Sequence, residues 1–219
     1  MNIIRPLLLW VALWGELALG CKTYSFQSFS VGQVLTAAQM DQVEANIRDH
    51  QHGVSGVSNT VTLGTAQATT SGTAISFTGI PAGVRRVTMN FIGVSIDATT
   101  ELLVQLGDAG GIETSGYLST AAAIVDASAV AAGQSTAGFV LTKGAATAGV
   151  FHGRVVLELE NSAAFTWSNA STLSQSNAAA IQGGGGSKSL AAELTQVNLT
   201  TVSGTANFDA GEVNITYEL

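Results

Sequence analysis

His50-Gln51-His52 is the constellation whose residue types and spacing best suit chemistry in this chain. Side chains two apart on an extended segment point to the same side, so both imidazoles can face one axis. In a trimer the pairs from every copy would meet there as an octahedral set of nitrogens, which suits iron, nickel or zinc. The alternative is a pair of solvated polar residues in a linker. Asp108 and Glu113 flank a glycine turn and have the residue types of a glycosidase acid pair, but two acids on one loop are expected by chance. Gly183–Gly186 followed by Ser187-Lys188-Ser189 has the composition of a phosphate loop. The GxxxxGK[ST] spacing fails and no βαβ context surrounds it, so the run reads as a flexible hairpin loop. No GxSxG elbow is present. His152, beside Phe151 in a strand pattern, reads as a satisfied strand histidine. No catalytic residue is assigned, no enzymatic activity is expected, and the axial transition metal is the one cofactor weighed.

The elements that would position these residues change period along the chain. Residues 23–35 read as an extended, aromatic arm. Thr36 is a suitable N-cap, Gln39 completes a capping box, and Leu35 and Met40 stand at the two staple positions, which predicts a helix over 37–50. Met40, Val43 and Ile47 form a narrow seam at spacings of three and four, and His50 is the next position on it. A helix this short cannot assemble alone. The seam is therefore either one part of an oligomer contact or a stripe packed on the chain's own β domain. Gly53 ends the helix.

After about residue 57 the period becomes two. Ile75 and Phe77, then Val87, Met89 and Phe91, then Leu102, Val104 and Leu106 alternate with other residues. So do Val155, Leu157 and Leu159, then Val197 and Leu199, then Val213, Ile215 and Tyr217. Such alternation marks strands with one buried face. Turn signals fall at Gly79-Ile80-Pro81, Gly107-Asp108, Gly110-Gly111, Lys143-Gly144 and the four glycines 183–186. The expected fold is all-β, an antiparallel sandwich of jelly-roll type, preceded by one short α-helix and an extended hydrophobic N-terminal arm. The segment 119–136 is read as a loop or irregular strand, with a short helix as the second reading.

Composition narrows the function classes. Only 11% of residues are charged while 46% are hydrophobic, against about 25% charged in ordinary globular chains. The net charge is −7, and Arg85-Arg86 is the sole adjacent basic pair, so nucleic acid is not an expected partner. Cys21 is the single cysteine, so no internal disulfide can form. Residues 1–21 carry Arg5, an apolar run from Leu7 to Trp14, and small residues before Cys21. A lipobox would place Leu where Ala18 stands, and Glu16 interrupts the run. The stretch is too short to span a membrane. A secretion or lipoprotein signal, an uncleaved hydrophobic plug inserted into a partner protein, and a misplaced start codon are the three readings.

Two stretches carry a resemblance: FSVGQVLTAAQMDQVEANIRDHQHG (29–53), and ISFTGIPAGVRRVTMNFIGVS (75–95), the latter continued by LLVQLGDAGGIETSGY (102–117) and NFDAGEVNITYE (207–218). Together they resemble a family of small tail-fibre-like, structural virion proteins of tailed bacteriophages. The family starts close to Thr23, so residues 1–22 depart from it. The resemblance implies a structural role, trimers and exposure on the particle. The expected organisation is a hydrophobic anchor or signal-like segment (1–22), an attachment and oligomerisation region (23–56) and a β-sandwich (57–219). The expected function is a short fibre or decoration protein of the virion. Its expected partners are copies of itself, other virion proteins through residues 1–56, and, as a further candidate, a host-surface glycan. The alternative is a secreted or outer-membrane-anchored bacterial module that binds carbohydrate or mediates surface adhesion.

Overall fold

The computed structural model describes residues 36–38, 40, 41, 44, 61–125, 131–144 and 149–219. The chain divides after Ser58. Before that division, Ala37, Ala38, Met40, Asp41 and Glu44 are helical, and the Met40 N–H donates to the Thr36 carbonyl at 3.0 Å. Thr36 thus opens a helical turn where the capping pattern places it.

The unit Asn59–Leu219 is an antiparallel sandwich of two sheets. Its strands are β1 (Thr62–Leu63), β2 (Gln67–Ala68), β3 (Ile75–Thr78), β4 (Arg86–Ile96), β5 (Leu102–Asp108), β6 (Gly111–Ile112), β7 (Leu118–Val125), β8 (Ala131–Ser135), β9 (Phe139–Val140), β10 (Phe151–Asn161), β11 (Thr166–Gln175), β12 (Ala180–Ser189), β13 (Gln196–Thr201) and β14 (Phe208–Glu218). The larger sheet runs β1-β14-β4-β10-β11-β12-β7-β8, with β2 also paired to β14. The smaller runs β3-β13-β5-β6, with β9 also paired to β5.

The alternating apolar residues fill the space between the sheets. Val87, Met89 and Phe91 of β4, Val155 and Leu157 of β10, and Val213 and Ile215 of β14 share one buried cluster with Ile75, Phe77, Leu102, Val104, Leu106, Val197 and Leu199 of the smaller sheet. Each such side chain contributes about 1.5–3 kcal/mol on burial. All of β5 is buried. Its other face joins a second cluster in which Leu103 packs with Ala121 and Val140. There the Ser119 hydroxyl accepts the Val140 N–H at 2.9 Å, so β7 is tied to β9.

One level of the larger sheet is bent by bulges. The β4–β10 and β4–β14 registers both shift there, and Gly93, Gly153 and Gly211 all have positive φ. A Cβ at Gly211 would meet the Gly93 carbonyl, so the bend needs glycine on both strands.

Three readings of the sequence are corrected. The four glycines 183–186 are not a loop but the middle of β12, paired with β11 on one side and β7 on the other. A Cβ at Gly184 would lie 2.8 Å from the Thr120 carbonyl oxygen, and one at Gly186 would overlap that of Leu118. Gly184 and Gly186 are required because β7 and β12 approach too closely there for side chains. The segment 119–136 contains two regular strands, β7 and β8, in direct register from Ser119↔Ser135 to Ala123↔Ala131. Its alanines favour helix locally, but pairing with β12 overrides that preference. The Gly107-Asp108 turn signal also moves: both residues end β5, and the turn itself is Ala109-Gly110.

Candidate functional site

A buried polar cluster lies where the loop after β6 meets the end of β12. Lys188 points inward and is 7% exposed. Its ammonium pairs with Glu113 at 2.5 Å and lies 5.3 Å from the centre of the Tyr117 ring. The other Glu113 oxygen accepts the Ala191 N–H at 2.8 Å. The Tyr117 hydroxyl accepts the Leu106 N–H at 2.7 Å and donates to the Glu113 carbonyl at 2.9 Å. The Tyr117 ring meets Phe139 edge-on at 5.0 Å. Burial pushes the Tyr117 phenol well above its ordinary range. Burial also pushes Glu113 upward, but the Lys188 hydrogen bond, the Ala191 N–H and the Lys188 charge together outweigh it and hold the carboxyl below its usual value. Each group in the cluster is occupied in tying a loop to a strand. The arrangement is a clamp, and no signal in the sequence linked Glu113, Tyr117 and Lys188.

The residues singled out from sequence do not converge on it. Of the two acids beside the glycine turn, only Glu113 belongs to the clamp. Asp108 is buried, and its carboxylate accepts the Gly110 N–H at 2.7 Å, closing the turn. His152 sits in β10, and its Nδ1 accepts the Gly93 N–H at 3.2 Å across the bulge. Met40 is exposed. Val43, Ile47, His50 and His52, the rest of the expected seam and metal pair, lie outside the described residues. Among the described residues no group of three or more His, Cys, Asp or Glu is placed to hold a metal.

The remaining feature is a surface. Outward positions of β4, β10 and β14 carry Arg86, Arg154, Glu158, Glu160, Glu212 and Glu218. Arg86 there pairs with both Glu158 and Glu218, and its guanidinium is held above its ordinary value by the Glu158 hydrogen bond first and the Glu218 charge second. The outward positions of β11, β12, β7 and β8 carry no charge at all. They present Ser168, Ala170, Thr172, Gly183, Gly185, Thr120, Ala122 and Gln134. Exposed aliphatic side chains stand among these: Ile124 and Ile181, directly paired across β7 and β12, and Leu118.

No protein-family model matches the chain, and neither does any curated protein or solved structure.

Proposed function

We propose that this chain is a non-enzymatic structural component of a bacteriophage particle, a short fibre or decoration protein. It attaches through residues 1–56, associates as a homotrimer and projects the sandwich outward, where a host-surface glycan is a candidate ligand. The observation that carries the reading is how the polar side chains are used. Glu113, Asp108, Lys188, Tyr117 and His152 each hold backbone or one another, and a broad sheet face is left without charge. That division suits a protein whose work is to pack and to persist. The resemblance of residues 29–53, 75–95, 102–117 and 207–218 to small virion proteins points the same way. The test is mass spectrometry of density-purified phage particles: the chain should be present at fixed stoichiometry, and its absence would sink the reading. If His50 and His52 reach a trimer axis, elemental analysis of untagged protein should find about one transition metal per three chains, lost on replacing both by Ala.

The signal-like pattern of residues 1–21 supports a second reading, a secreted or lipid-anchored binding module. Intact mass and N-terminal sequencing of the natural protein separate the two. Loss of residues 1–20 with lipid on Cys21 would favour the second.

A further inference from the structure

We propose that the charge-free outer face of β11, β12, β7 and β8 is a contact surface between copies of this chain. Lys188 is the one charged residue in those four strands, and it points inward. The chain as a whole carries a net charge of −7, so two copies repel one another on balance. They meet without that repulsion through this face. Apart from Leu118, Ile124, Ile181 and Gln134 its outward residues are small, which lets a second sheet approach closely between them. The three aliphatic side chains on it are 71% (Leu118), 66% (Ile124) and 53% (Ile181) exposed, a cost in water that a second copy removes. Four strands of about eight residues span about 500 Å² in projection. That is below the ~800 Å² per partner of a standard specific interface, so the face is one part of a contact that other regions of the chain complete.

The inference bears on the self-association part of the reading above, without fixing the number of copies, and rests on that part alone. A chain missing from phage particles would sink the virion role and leave this surface standing.

The experiment is sedimentation equilibrium on the full chain with matched charge insertions. Ile124→Glu and Ile181→Glu introduce a carboxylate on the proposed face. Ile92→Glu makes the same change at an isoleucine 57% exposed on the charged side of the same sheet, and serves as the control. Thr120→Arg is a second-sign variant should either glutamate disturb folding, which far-UV circular dichroism reports. The expected result is an assembled wild type, at least about tenfold weaker association for the face variants, and no change for Ile92→Glu. A monomeric wild type overturns the proposal. So do face variants that assemble normally, or a control that dissociates as readily as they do.

Discussion

The two sides of the large sheet solve the same problem with opposite materials. In β14, β4 and β10 the inward row is large and apolar and the outward row is charged. In β11, β12 and β7 the inward row keeps Trp167 and Leu173 but otherwise runs through Asn169, Ser171, Gln182, Gly184, Gly186, Ser119 and Ala121, and the outward row is Ser, Thr, Ala and Gly interrupted by Leu118, Ile124 and Ile181. The first side is held by burial throughout, the second by burial at Trp167 and Leu173 and elsewhere by close backbone approach and a few placed polar contacts. A sheet can therefore be continuous in hydrogen bonding and discontinuous in what stabilises it.

The largest expected effect lies on the apolar side. Leu157 is fully buried in the main cluster, and Leu157→Ala should cost about 3–4 kcal/mol in urea unfolding, through lost burial and the cavity left behind. A loss below about 1 kcal/mol would show that the side chain lines a space able to collapse.

Lys188 brings a charge to the other side, turned inward. Lys188→Met should cost about 2–3 kcal/mol at neutral pH, because Glu113 loses its cation while only partly exposed. Glu113 is held below its ordinary value, so the clamp's contribution is present above the usual carboxylate range and is lost as pH falls through the lowered value. The gap between wild type and Lys188→Met should therefore close on acidification. A gap independent of pH would assign the effect to packing of the lysine stem alone.

The glycine run sharpens the comparison within one strand. Gly186→Ala should cost about 1–2 kcal/mol, since the new Cβ overlaps the Leu118 carbonyl. Gly183, on the outward row, has its nearest obstacle at 3.7 Å, and Gly183→Ala should be neutral or stabilising by a few tenths of a kcal/mol. Equal losses at both would mean that β12 needs flexibility rather than clearance.

The same contrast explains what was legible in the sequence. Val87-Met89-Phe91, Val155-Leu157 and Val213-Ile215 announce their strands because alternation of apolar and polar residues is the signal itself. β11 has an inward row of Trp167, Asn169, Ser171 and Leu173, so polar residues occupy both faces and the period vanishes. β12 replaces side chains with glycine, whose local preference is for turns. The antiparallel sandwich was thus readable from one side of its large sheet, while β7, β8, β11 and β12 were specified by neighbours far along the chain. The Glu113–Tyr117–Lys188 clamp was hidden for the same reason. Its members come together only through the β7–β12 pairing that the glycines permit.

The smallest effect tests whether polar groups inside the second side are assets. The Ser171 hydroxyl is buried and has no hydrogen-bond partner among the described residues, like both ends of the Asn169 amide and the Trp167 indole N–H. Thr142 is also buried, but its hydroxyl accepts the Leu102 N–H at 2.9 Å. An unpaired hydroxyl in the interior keeps its desolvation cost and returns nothing, whereas a paired one satisfies a backbone donor that would otherwise be stranded. Two chemically similar substitutions should therefore differ in sign. Thr142→Ala should lower stability by about 1–2 kcal/mol, and Ser171→Ala should raise it by up to about 1 kcal/mol. Urea midpoints at unchanged slope measure both. If Ser171→Ala also loses about 1 kcal/mol, its hydroxyl has a bound water as partner, and the inner face of β11 is a hydrated layer rather than a dry one.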